Sequence, residues 1–145
     1  MCTSFKAEIL SGIHALGTTV IRAGTGADTI KAALYLASAT VNAATTAYSA
    51  TGEVSGTGYT AGGITATNAT APTSSGTTAY WTPSASFTYT TVTLTTSFDC
   101  VLVYNSTQSN KAISAHTFGA QTITAGTFVL SMPTNDSTNA LIRIA

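Results

Sequence analysis

Charge is the scarcest property of this sequence: Lys and Arg number 5, Asp and Glu 5, and together they make 7% of 145 residues. An ordinary soluble domain carries roughly 25%. The cations Lys6, Arg22, Lys31, Lys111 and Arg143 stand singly, so no basic patch neutralises phosphates and nucleic acid is not expected as a partner. No apolar run approaches the roughly 20 residues of a membrane-crossing helix, which argues against a membrane partner. The opening Met1–Glu8 mixes both charges and lacks the apolar stretch of a secretory signal, so export by that route is not expected. Cysteine and histidine are also scarce. Cys2, Cys100, His14 and His116 show no ligand spacing, so neither a metal nor a cofactor is expected. Nothing in the spacing demands a disulfide, and Cys100, within the apolar run Cys100–Val103, reads as a buried reduced thiol.

Catalytic constellations are missing as well. The carboxylates Glu8, Asp28, Glu53, Asp99 and Asp136 lie far apart in the chain, and nothing nominates a pair for acid–base work. A hydrolase built from His116, Asp99 and a serine would lack the Gly-x-Ser-x-Gly turn. The glycine cluster Gly52–Gly63 lacks the Gly-Lys-Ser/Thr ending of a phosphate loop. Asn135-Asp136 reads as a turn before it reads as a calcium site. Three sequons, at Asn68, Asn105 and Asn135, are what abundant Ser and Thr produce by chance. The expected protein is not an enzyme.

What the chain has in excess is threonine, 31 residues of 145. Threonine is β-branched, suits strands, and keeps an outward strand position wet without charge. The run Thr29–Ala37 (TIKAALYLA) is apolar nearly throughout and reads as a strand buried on both faces. Further strands are expected at Ile64–Ala69, Thr77–Thr82, Phe87–Leu94, Asp99–Tyr104, Lys111–Phe118, Gln121–Thr124, Thr127–Met132 and Ala140–Ile144. Turn signals separate them, among them Asn105-Ser106-Thr107, Phe118-Gly119, Ala125-Gly126 and Pro133–Asp136. Phe5, Ile9 and Ile13 recur at helical spacing behind Ser4, a candidate cap, so Phe5–Leu16 reads as a short helix or an irregular arm. The only other helix is expected within Ala43–Gly56.

Many short strands with Gly- and Asn-bearing turns predict an all-β fold, a single antiparallel β-sandwich or jelly roll of about eight strands. Residues 1–27 form an N-terminal arm or short helix and 28–145 the sandwich. Leu34, Leu36, Val101, Val103 and Ile142 are expected in the core. Phe87 and Phe98 read first as core. Tyr80, Trp81 and Tyr89 stand between core and interface, because aromatics with a polar tip serve at both. Phe5, Ile9 and Leu10 are apolar on a terminal segment that the core need not contain. A surface with so little charge favours self-association over a free monomer.

Three stretches carry a resemblance: Ile30–Gly63 (IKAALYLASATVNAATTAYSATGEVSGTGYTAGG), Val101–Gly119 (VLVYNSTQSNKAISAHTFG) and Thr124–Ala145 (TAGTFVLSMPTNDSTNALIRIA). With the opening FKAEILSGIH they resemble small structural proteins from the virion modules of tailed bacteriophages; Ala69–Phe98 has no counterpart. The resemblance implies a capsid decoration or cement protein, made in the host cytoplasm and carried on the capsid surface. Such a protein forms homotrimers and binds the lattice of the major capsid protein. The contacts it implies are Glu53, Val54, Tyr59 and the N-terminal arm. A tail or baseplate component that binds host sugars through Tyr80, Trp81 and Tyr89 is the alternative, and a small hydrolase the more distant one.

Overall fold

The computed structural model describes residues 1–16, 27–67 and 70–145. The lead-in expected at Gly17–Gly26 and the Asn68-Ala69 half of the first sequon lie outside them. In chain order the elements are α1 (Thr3–Leu10), β1 (Ile30–Leu36), β2 (Ile64–Thr65), β3 (Thr73–Ser75), β4 (Thr78–Trp81), β5 (Phe87–Asn105), β6 (Lys111–Leu130) and β7 (Ile142–Ile144). They make two antiparallel sheets, ordered β2-β1-β5-β6 and β3-β4-β7. Trp81 and Ile142 of the smaller sheet share one core with Leu34, Phe98, Leu102 and Ile113 of the larger. The all-β sandwich expected from the strand pattern is present.

β1 is an inner strand of the larger sheet, which is why its sequence runs apolar instead of alternating. Leu34, Val101, Val103 and Ile142 are buried as expected, whereas Leu36 is half-buried at the strand's end.

The largest departure from expectation is strand length. Phe87–Leu94 and Asp99–Tyr104 are parts of the single strand β5, and the three strands expected between Lys111 and Met132 merge into β6. The Phe118-Gly119 and Ala125-Gly126 signals are bulges in a continuous ladder, not turns. A bulge adds a residue on one strand and turns the side-chain alternation over without ending the pairing. Thr91 shows the effect. It sits at φ 55° where the register slips between Tyr89 and Val92. Strict alternation would put Phe87 and Tyr89 on one face and Val92 and Leu94 on the other. With the extra residue all four are buried. Seven strands result among the described residues.

The N-terminal helix is shorter than Phe5–Leu16 and differently anchored. Cys2, not Ser4, stands at the cap position, without a side-chain capping bond, and the buried Ser4 hydroxyl finds no partner. Gly12, at φ 66°, ends the helix, with Gly12 N–H donating to the Ile9 carbonyl and Ile13 N–H to that of Glu8, a left-handed glycine stop. The dispensable arm is a misreading: Cys2 and Phe5 are completely buried, and Cys2 N–H donates to the Ile113 carbonyl at 2.8 Å. An apolar residue at helical spacing near a terminus has the same signature whether it reaches outward or docks.

No helix forms within Ala43–Gly56. The chain there runs through turns and single bridges, Tyr35 to Glu53 and Ala47 to Lys111. It is held to β1 by Leu36 N–H to the Gly52 carbonyl and Val54 N–H to that of Leu34. Its return into β2 requires glycine: Gly63 sits at φ 70°, and a Cβ there would overlap the Ala32 carbonyl. Of the strand expected at Ile64–Ala69, whose last two residues lie outside the described ones, β2 takes Ile64–Thr65, and Ala66 and Thr67 are not strand; β3, all exposed, carries no apolar signal from which to predict it.

Candidate functional site

Two polar clusters gather most of the chain's carboxylates. The first surrounds Glu53, the sole charged residue between Lys31 and Asp99. The bridge to Tyr35 lays Glu53 beside β1. Its Oε1 accepts hydrogen bonds from the Tyr59 hydroxyl at 2.8 Å and Gly62 N–H at 2.7 Å, and its Oε2 from the Tyr48 hydroxyl at 2.7 Å. Tyr59 OH also accepts from Leu34 N–H, Tyr104 OH donates to the Gly62 carbonyl, and Tyr89 OH donates to the Ala32 carbonyl. Tyr48 stacks on Tyr104 with centroids 4.7 Å apart, and Tyr59 on Tyr89 at 5.9 Å. Burial, then the bond to Glu53, push the Tyr48 and Tyr59 hydroxyls above the usual phenol range. Burial also carries Tyr35 and Tyr104 up to about 12. The tyrosines stay protonated and donate, which is what a carboxylate among them needs. The cluster ties the long loop to the sheet.

The second cluster pins α1 to the β5–β6 turn. Lys111 Nζ donates to Glu8 Oε1 at 2.7 Å, and His14 Nε2 lies 2.9 Å from Glu8 Oε2. Asn105 Oδ1 accepts from the N–H groups of Thr107 and Gln108, which fixes its amide orientation and aims Nδ2 at His14 Nδ1 (3.1 Å) and Asp28 Oδ2 (2.7 Å). Nδ1 therefore accepts, and Nε2 carries the hydrogen given to Glu8. Asp28 further accepts from Ala15 N–H and Gln108 Nε2. Burial would raise the Glu8 carboxyl, but the hydrogen bonds from Lys111 and His14 outweigh it and hold it below the usual value. Glu8 and His14 lie six residues apart, but Asp28 and Asn105 come from other parts of the sequence, and only the fold brings the four together.

The residues expected at an interface divide by burial. Phe5, Val54, Trp81 and Tyr89 are in the core, and Trp81 Nε1–H donates to the Thr70 carbonyl at 3.0 Å. Burial takes these four off the surface. Glu53 and Tyr59 are half-buried and committed to each other; Ile9 and Tyr80 are half-buried. Leu10 alone stands out, at 90% exposed. The Glu53 cluster escaped the sequence reading, although a lone carboxylate flanked by tyrosines was its available signal.

His116 Nε2 lies 2.9 Å from the hydroxyl of Ser114, two residues earlier on β6, and burial lowers the histidine's pKa. Ser114 itself is completely buried. Cys2 and Cys100 are free and buried; burial raises both thiols, Cys100 to about 11. Asp136 accepts from the N–H groups of Thr138 and Asn139 and so closes its own turn. Among the described residues no three His, Cys, Asp or Glu are placed to hold a metal ion. No family model, curated protein or solved structure matches this chain.

The exposed surface is mostly hydroxyls and short apolar side chains. Among the described residues its large apolar members are Leu10, Val129 (49% exposed) and Ile144 (40%). Leu10 and Ile144 line one open cavity with Met1, Lys6, Ile9 and Arg143.

Proposed function

We propose that this chain is a structural component of a tailed-phage particle, a decoration or cement protein that attaches to the lattice of the major capsid protein and acts by covering protein surface. The observation that carries the reading is the division of polar and apolar groups. Glu8, Glu53 and Asp28 all accept hydrogen bonds from the chain's own donors. An apolar corner containing the 90% exposed Leu10 faces outward. Exposed apolar groups gathered in one patch are the mark of a protein-contact surface. Weak contacts repeated around a shell gain from avidity, so each copy needs little affinity of its own. The resemblance of Ile30–Gly63, Val101–Gly119 and Thr124–Ala145 to virion proteins supplies the partner. The tail alternative draws no support from Trp81 and Tyr89, whose rings are core.

The test is add-back to decoration-free heads. The full chain should raise the temperature at which heads release DNA. Leu10→Ser, a change at an exposed position, should weaken attachment at least tenfold without altering the melting of the isolated protein. Heads equally stable without any protein, combined with failed adsorption of the particle to host cells, would overturn the cement reading in favour of the tail.

A further inference from the structure

β6 ends the order of the larger sheet, with β5 on one side only. Its first residues are covered, Ala112 N–H by the Thr46 carbonyl and the Ile113 carbonyl by Cys2 N–H. Beyond Ser114 no described strand pairs with the outer edge. Alternate residues of an edge strand turn N–H and C=O groups outward, and natural edges are guarded by lysine, proline or brevity. Past Lys111, which pairs with Glu8, none of these three guards this one. No charged residue and no proline occurs from Ala112 to Met132, and the strand runs 20 residues.

Bulges do interrupt it. Register slips on both sides of Gln121–Ile123, and Ala125 sits at φ 48°. Gly126–Leu130 carries no bulged residue of its own, the extra residue of the slip between Tyr89 and Val92 lying on β5, and it alternates strictly: Gly126, Phe128 and Leu130 are half-buried, Thr127 and Val129 exposed. Phe128 packs inward against Phe98 and Phe118, with centroids 5.1 and 5.4 Å away. Val129 is the exposed large apolar residue on the other face.

We propose that the Gly126–Leu130 edge of β6 is a self-association site, which takes the same segment of a second copy of this chain as an antiparallel added strand. The segment complements itself. A two-fold axis at Phe128 sets Thr127 beside Val129 of the other copy and Gly126 beside Leu130. It thus crosses β-branched side chains on the outer face and extends the phenylalanine cluster on the inner one. No like charges meet, because neither copy carries any there. Five residues make roughly 17 Å of edge, and a single added strand of that length cannot cover the roughly 800 Å² per partner of a stable interface. The dimer is therefore weak, with dissociation in the high micromolar range, and gains only where copies are concentrated. An isologous contact closes at two copies, so it builds pairs, unlike the trimers that the phage resemblance implies.

The experiment is sedimentation of the full chain from about 5 to 500 µM without any particle, with hydrogen exchange read in parallel. Monomer and dimer should interconvert, and the amides of residues 126–130 should gain protection with concentration. Val129→Lys should weaken dimerisation at least tenfold, Val129→Thr should retain it within a few-fold, and Leu10→Ser should leave it unchanged. The double variant T127C/V129C should oxidise to a covalent dimer. A monomer at every concentration, a trimer, a folded Val129→Lys that dimerises like the parent, or a dimer lost in Leu10→Ser would each overturn the proposal. Should Val129→Lys fail to fold, the concentration-dependent protection of the parent decides. Because no phage head takes part, failure here leaves the capsid test standing.

Discussion

Replacing Glu53 should release the long loop from the sheet. In Glu53→Ala the Tyr59 hydroxyl and Gly62 N–H lose a charged acceptor 2.8 and 2.7 Å away, and Tyr48 loses one at 2.7 Å. A hydrogen bond to a charged group contributes about 1.5–3 kcal/mol, and an orphaned buried donor costs about as much. Tyr59 and Gly62 together set the scale, because water can reach the more open Tyr48. Partial solvent replacement brings the expected loss to about 3–4 kcal/mol, or roughly 10 °C in melting temperature for a domain of this size. Glu53→Gln separates charge from geometry. Its oxygen can serve Tyr59 and Gly62 while its amide donates to Tyr48, whose hydroxyl turns to accept, so the loss falls to about 1 kcal/mol. Thermal melting by circular dichroism measures both, and hydrogen exchange across residues 38–63 shows where the protein loosens. Alanine melting within about 2 °C of the parent, or glutamine as damaging as alanine, would refute the tether.

Phe5→Ala should cost about 3–5 kcal/mol, the usual range for a buried Phe, because the ring is fully buried and packs on His14 at 4.7 Å; a denaturant midpoint unchanged from the parent would return the N-terminus to the status of a free arm. Acidification should destabilise in two windows. His116, its pKa lowered from 6.5 by burial, binds a proton more readily unfolded than folded, so stability falls as pH drops below about 6.5. Glu8, its pKa held below 4.5, contributes stability above that pH and loses it as pH falls through the folded value. His116→Gln should flatten the first window and Glu8→Gln the second in denaturation curves taken across pH. Gly63→Ala should destabilise strongly, since its Cβ would overlap the Ala32 carbonyl at a left-handed φ, whereas Thr91→Gly, at φ 55° and exposed, should stabilise by up to about 1 kcal/mol; opposite signs in the two melts are the check.

The sequence by itself determined the class of fold and the place of its central strand. Abundant threonine, little helix periodicity and an unbroken apolar run at Ile30–Leu36 state local preferences, and local preference is what composition and period encode. It also marked most of the strand material correctly, from Thr78–Trp81 to Ile142–Ile144. Whether Ala125-Gly126 turns the chain or merely bulges it was decided by the partner strand, because a ladder that continues past a left-handed residue is a property of two segments at once. The same holds for Phe5, whose helical spacing cannot tell a docked face from an outward one. It holds most clearly for the polar clusters. Glu8 reaches Lys111 across 103 positions of sequence and Asp28 reaches Asn105 across 77, and no window along the chain contains both ends of either pair. Such contacts form only because the sheet first brings β5 and β6 against the N-terminal segment, and desolvation there then makes the pairing of each carboxylate obligatory.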